Sequence, residues 1–207
     1  MTKLTEARER IGGVSKPGKM PCDAWSIPAS KCITGSKLVN IPGSVCADCY
    51  ALKGRNRFPV VQNAQQRRLT AYDSPTWPQD MATSINGADH FRWFDSGDLQ
   101  SLEMLESIAD VAKLTPNTSH WLPTREKKIF RQFTRKHGDF PANLCVRVSA
   151  TMVDGDAPDF PNTSTVHRDK ASQVNAFRCK APQQAGKCGD CRACWDRDVQ
   201  TVSYKWH

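Results

Sequence analysis

The stretch His90-Phe91-Arg92-Trp93-Phe94-Asp95-Ser96-Gly97-Asp98 decides how this chain is read. Its first five residues have strand character, the next four are turn formers, and Leu102, Leu105, Ile108, Ala109 and Ala112 then recur at helical spacing. This is a strand, a turn and a helix. The unit recurs: His120-Trp121-Leu122 is a second short strand, Thr124-Arg125-Glu126 leads into a helix through Ile129, Phe130 and Phe133, and Gly138 can end it. Leu144, Val146 and Val148 then alternate with Cys145, Arg147 and Ser149 in the best-defined strand, and Thr163 to His167 is a weaker one. Upstream, Val60, Val61, Ala64, Arg68, Leu69 and Tyr72 form a helical stripe after Pro59, and Ser74-Pro75 reads as the cap of another helix; both helices are expected to carry Gln and Arg outward. Strands separated by helices of this length imply right-handed crossovers. The expected fold class is α/β, a mainly parallel sheet or partial (β/α) barrel, with cysteine-rich, loop-like segments at both ends.

In such sheets ligands sit beyond the carboxyl ends of the strands. The residues expected there are Asp95, Ser96 and Asp98; Thr124, Arg125 and Glu126; Ser149, Thr151 and Asp154; and His167 with Arg168. Asp95, Asp98, Arg125 and Glu126 are the candidates for positioning a substrate. Capping of helices is the alternative role for Asp98 and Thr124.

The 207 residues suit one domain of three textures: 14–58, rich in Gly, Pro, Ser, Lys and Cys; 59–168, the βα core; and 169–207, polar and cysteine-rich. A stretch as long as 14–58 without regular structure needs something local to tie it down. Hydrophobic residues make up 39%, somewhat below the usual share, so part of the chain needs a source of order besides apolar burial. No apolar run is long enough to span a bilayer, and a membrane protein is excluded. The opening MTKLTEARERIGG lacks the apolar core of a signal peptide, so the expected location is the cytoplasm, that of the host cell if the gene is carried by a phage. Thiols stay reduced there, and nine cysteines then call for an explanation other than disulfides.

The strongest signal is Cys179-x8-Cys188-Gly-Asp-Cys191-Arg-Ala-Cys194. A C-x2-C-x2-C run sets three thiolates around one tight turn, which suits three irons of a [4Fe-4S] cubane, with a more distant cysteine on the fourth. Zinc sites more often pair two separate C-x2-C knuckles. The N-terminal set, Cys22, Cys32, Cys46 and Cys49, has a single C-x2-C and would fit either zinc or a second cluster. A third arrangement joins Cys46 and Cys49 to the C-terminal cysteines. Cys145 stands alone inside a strand and is expected to pack as a small hydrophobe.

Lys19-Met20-Pro21-Cys22, the segment from Pro42 to Gly54 (PGSVCADCYALKG), Phe91 to Asp98 (FRWFDSGD) and His120 to Glu126 (HWLPTRE) together resemble the phage and prophage family called gene product 88. The resemblance covers most of the chain. It is also distantly similar to radical-SAM partial barrels, which implies a cysteine loop ahead of the βα units and an auxiliary cluster near the C-terminus. Those enzymes use C-x3-C-x2-C, whereas Cys46-Ala47-Asp48-Cys49 offers two close thiols; Cys32 or Cys22 could supply the third, and S-adenosylmethionine has no motif of its own here.

The formal charge of +8 favours an anionic partner if it is concentrated on one face. Two four-thiolate [4Fe-4S] units would add −2 each and leave +4. Lys53, Arg55, Arg57, Arg67 and Arg68, with Phe58 and Tyr72 nearby, form one basic segment, and Arg125, Lys127, Lys128, Arg131, Arg135 and Lys136 another. Either could bind a nucleic-acid backbone or simply face solvent. His90, His120, His137, His167 and His207 make no zinc pair. Phosphate-loop, nucleophile-elbow and dinucleotide glycine motifs are absent, leaving nucleotide hydrolysis, esterase work and classical dinucleotide binding without support. The reading is therefore an iron–sulfur protein, structural or electron-transferring, or one with a radical-SAM-like redox role on a small or nucleotide-like substrate. A zinc- or cluster-stabilised nucleic-acid-binding module is the alternative.

Overall fold

The computed structural model describes residues 3–168 and 175–206; 169–174 of the cysteine-rich C-terminal stretch and His207 lie outside the described residues. The strands are β1 (Ala24–Trp25), β2 (His90–Trp93), β3 (Ser119–Thr124), β4 (Leu144–Val153), β5 (Thr163–His167), β6 (Phe177–Arg178) and β7 (Thr201–Lys205). All pair in parallel, in the order β1-β2-β3-β4-β5-β7-β6. The helices are α1 (Lys3–Arg10), α2 (Ile33–Leu38), α3 (Pro59–Ala71), α4 (Trp77–Ile85), α5 (Leu102–Leu114) and α6 (Lys127–His137). The first four strands follow chain order, so right-handed crossovers put α5 and α6 side by side on one face.

Alternation along each strand sends neighbours to opposite faces. Phe91, Trp93, Leu122, Leu144, Val146 and Val148 point to the helices and join Leu105, Ile108, Ile129 and Phe133 in the main core. Trp25, Trp77 and Trp93 meet there edge-on or tilted, with centroids 5.2–6.3 Å apart, and each buried indole is worth roughly 2–3 kcal/mol. His90, Arg92, Trp121, Cys145 and Arg147 take the opposite face, and the C-terminal segment covers it. Trp195 packs on His90 and Trp121 and donates its indole N–H to the Phe91 carbonyl at 2.9 Å.

The expected α/β class holds, but the terminal segments are less loop-like than their composition implies. Residues 14–58 supply β1 and α2, and the tail supplies β6 and β7. β7 is an interior strand despite its polarity. Side-chain hydrogen bonds to β5 satisfy it, Thr201 to Thr163 at 2.8 Å and Ser203 to His167.

One helix was not anticipated and one helix reading changes. α1 arises from a sequence with little apolar periodicity, because Ala7 and the following Ile11 bury while Arg10 grips Asp80 with two bonds of 2.9 and 2.6 Å. In α3, Val60 is 71% exposed, whereas Gln65 and Arg68 are buried. Arg68 turns inward to donate to the Gly13 carbonyl and the Ser26 hydroxyl, so the helix does not carry its arginines uniformly outward. Cys145 is buried as expected, its sulfur 3.9 Å from the Asp196 carbonyl.

Candidate functional site

Cys32, Cys46 and Cys49 are brought together at the carboxyl end of the sheet. Cys32 precedes α2, and that helix is anchored by Glu126, whose carboxylate accepts from the Thr34 N–H at 2.8 Å and its hydroxyl at 2.9 Å. The loop bearing Cys46 docks on the end of β4 through Val45 N–H to the Thr151 carbonyl and Val153 N–H to the Gly43 carbonyl, both 2.9 Å. Gly35 allows the approach: a Cβ there would lie 2.9 Å from the Cys32 Cβ and 3.7 Å from the sulfurs of both Cys32 and Cys46. The charged neighbours of the Cys32 thiol are Asp98, Cys49, Cys46 and Arg125. Burial pushes it up to about 12.

Cys22 belongs elsewhere. Its neighbours are Arg92, Cys188, Asp23 and Arg192, because the chain before β1 lies against the C-terminal loop, where Cys188 N–H donates to the Lys19 carbonyl at 2.9 Å. Cys179 follows β6, Cys191 N–H closes a turn on Cys188, and Cys194 meets the Tyr204 hydroxyl at 3.2 Å. Cys179 and Cys191 neighbour Cys188, and Cys179 neighbours Cys194. The partition is thus three thiols at the strand ends, five on the face opposite the helices, and Cys145 alone. Burial pushes Cys22 and Cys194 up to about 12, while nearby arginines pull both the other way.

Two of those arginines were not among the candidate site residues: Arg147 lies outside every motif, and Arg92 lies inside the Phe91–Asp98 motif without a role assigned to it. Arg147 is fully buried and donates to the carbonyls of Ala193, Cys194, Asp196 and Val199 at 2.5–2.9 Å, clamping the chain that carries Cys194. Arg92 lies 4.4 Å over the Trp121 ring, touches the Met20 sulfur at 3.2 Å, and has a buried Nε without a hydrogen-bond partner. Neither makes an ion pair among the described residues. The signal that could have found them is a charged residue on the inward face of a buried strand, Arg147 between Cys145 and Ser149.

Asp95, Asp98, Arg125 and Glu126 lie past the strand ends, mostly turned toward the chain itself, whereas Ser149 and Thr151, expected past the end of their strand, lie within β4, which runs on to Val153, and Ser149 accepts from the Ser164 hydroxyl at 2.9 Å. Asp98 is enclosed and accepts from Leu99 N–H at 2.8 Å, the Thr124 hydroxyl at 2.6 Å and Arg125 N–H at 2.8 Å. Burial raises it to about 6 against those bonds. It ties β2 to β3, while Ser101, not Asp98, caps α5. Glu126 holds α2. Asp95 faces Ser15 at 3.4 Å and offers its carbonyl to the Tyr50 hydroxyl. Phe94, just past β2, adopts φ +54°, a costly conformation for a bulky residue, and begins the turn that aims Asp95 to Asp98.

Of the basic segment after Cys49, Arg68 is buried and Tyr72 packs on Trp77, leaving Lys53, Arg55, Arg57, Phe58 and Arg67 exposed. Among the described histidines, His120 lies in the core, His90 on Trp195, His167 on Ser203 and His137 on Glu106.

No group of three or more His, Cys, Asp or Glu among the described residues is gathered as one metal ion requires. A single tetrahedral zinc would draw thiolate sulfurs to about 3.8 Å apart. A cubane sets each thiolate on a different iron and so holds the sulfurs farther apart. The donor set, thiols almost alone with half-buried Arg92 and buried Arg147 beside them, suits an anionic inorganic group.

Fold and site together define an all-parallel α/β protein with two thiol groups held by its strand ends and its helix-free face. The Gene product 88 family matches residues 2–197, and the chain belongs to that family. No curated protein and no solved structure matches. No helix among the described residues is long and apolar enough to cross a membrane.

Proposed function

We propose that this is an iron–sulfur protein of the Gene product 88 family with two centres, one on Cys32, Cys46 and Cys49 and one drawn from Cys22, Cys179, Cys188, Cys191 and Cys194. The observation that carries the reading is the sorting of eight cysteines into these two groups, with Arg92 and Arg147 beside the larger one and no carboxylate paired to either among the described residues. The fully buried Arg147 guanidinium has no carboxylate partner among the described residues, which is costly. A four-thiolate [4Fe-4S] unit of charge −2 would supply the counter-charge.

The larger group has thiols enough to close a cubane and suits structural or electron-transfer duty. The smaller has three, so one iron would be left for a non-cysteine ligand, beside Asp98 and Arg125. That supports a redox enzyme acting at the strand-end rim, with the chain's own residues fixing the geometry: Glu126 orients the Cys32 helix, and Asp98 locks the β2 and β3 ends together. Bound iron would supply the electron; the residues around it exclude water and set the approach.

Anaerobic purification with iron and sulfide analysis tests the reading. The expected result is a brown protein holding up to eight irons and eight sulfides per chain, from about four per cubane. Replacing Cys32, Cys46 and Cys49 by Ala should abolish one dithionite-induced paramagnetic signal and leave the other. A colourless protein with stoichiometric zinc and no sulfide overturns it. Cleavage of S-adenosylmethionine by the reduced protein separates the radical version from simple electron transfer.

A further inference from the structure

An open groove of about 590 Å³ lies beside the smaller thiol group, lined by Asp48, Tyr50, Lys53, Arg55, Asn56 and Trp206. It sits where parallel sheets bind ligands: Trp206 directly follows β7 and donates its backbone N–H to the His167 carbonyl at the end of β5, and Tyr50 hydrogen-bonds the Asp95 carbonyl beyond β2. Its walls are unusual for a surface hollow. Tyr50 is anchored at its hydroxyl and the residue is 56% exposed, while Trp206 is half-buried with Arg168 over its ring at 5.5 Å. Lys53 pairs with Asp48 at 2.6 Å, whereas Arg55 and Arg57 are exposed and make no ion pair among the described residues. The surface continues past the groove through exposed Leu52, Phe58 and Val60.

A tethered, exposed tyrosine beside a half-buried tryptophan, with cations at the alternate positions Lys53, Arg55 and Arg57, offers what a single-stranded nucleic acid needs: flat faces for bases and positive charge for phosphates. A duplex hides its base faces, and a free nucleotide would leave Arg57 and Phe58 without a role. We propose that this groove binds single-stranded nucleic acid, one base resting on Tyr50 or Trp206 and the backbone running over Arg55 and Arg57. None of these residues is a cysteine, so the proposal stands apart from the metal reading.

Fluorescence anisotropy of the full-length protein with labelled dT12, against a hairpin duplex and against free dTMP as competitor, tests it. The expected result is binding to dT12 that weakens about tenfold in Trp206→Ala. In the Arg55→Ala/Arg57→Ala variant the slope of log affinity against log salt should fall by about 1.4, the share of two neutralised phosphates. Iron and sulfide measured on each variant should equal the parent's, which separates failure of this groove from failure of the centres. Absence of dT12 binding by iron-replete protein, equal affinity for the duplex, displacement by dTMP at matching nucleotide concentration, or indifference to both substitutions each overturns the proposal. Tyr50→Phe keeps the ring and loses only its tether to Asp95, so it should bind more tightly than Tyr50→Ala; equal losses in the two would mean that the aromatic face is not what binds.

Discussion

Arg147 shows how one residue decides the position of a whole segment. Its donors satisfy carbonyls of a chain portion that has no strand or helix of its own to do so. Arg147→Met keeps the stem and removes the donors, leaving several buried carbonyls unpaired; a loss on the order of 3 kcal/mol in urea denaturation is expected. His120 makes the pH dependence specific. Its Nδ1 accepts from the Trp93 indole at 3.3 Å and its Nε2 meets the Thr115 hydroxyl at 2.9 Å, which in turn donates to the Val111 carbonyl. That network assigns a neutral ring, and a second proton would point at the Trp93 N–H. Burial lowers His120 from 6.5 to about 4. The unfolded chain therefore takes up a proton that the fold refuses, so this contribution is complete above pH 6.5 and is lost as pH falls toward 4, by about 3 kcal/mol. Urea midpoints measured from pH 7.5 to 4 should show that slope, and His120→Asn should flatten it.

At the scale of elements, the turn after β2 is held by close contact. Gly97 has φ +83°, and a Cβ there would lie 2.3 Å from Ile27 Cγ1 and 2.8 Å from the Ile27 carbonyl oxygen. Gly97→Ala should destabilise by more than about 3 kcal/mol, visible as a large drop in thermal midpoint or as insoluble protein. Glu126→Ala removes the anchor of α2; the expected global cost is only about 1 kcal/mol, but Cys32 loses its position. Iron bound by the smaller thiol group should fall disproportionately, read as loss of one paramagnetic signal at nearly unchanged denaturation midpoint. β2 to β5, α5 and α6 were legible because each carries its own period and its own stop, such as Gly138 at φ +78° after α6. β7 was not, since Thr201, Ser203 and Lys205 look like surface until Thr163 and His167 stand beside them.

For the molecule as a whole, the termini close what the central βα units begin. The N-terminal loop seats three thiols on the strand ends, while Cys22 and the tail cover the face that the helices leave bare. On the proposed iron–sulfur reading, a chelator under reducing conditions should expose 14–58 and 179–200 to protease while the 59–168 core resists, as mass spectrometry of early fragments would reveal. Uniform resistance with and without chelator would mean that packing alone orders these segments. Deleting the chain from Gln200 onward should instead abolish folding, because β7 lies between β5 and β6.

Patterning along the chain was sufficient to determine an α/β fold, the turns that follow its strands, and a cysteine content concentrated in the two terminal segments. Those are local properties: periodicity, turn chemistry and spacing survive being written in one dimension. Which cysteines lie near one another, which arginines lie beside them and which aromatic rings frame the groove were decided only in three dimensions. Cys22 and Cys188, Arg147 and Cys194, Tyr50 and Trp206 meet through the order in which strands are laid down, and no spacing between residues encodes that order.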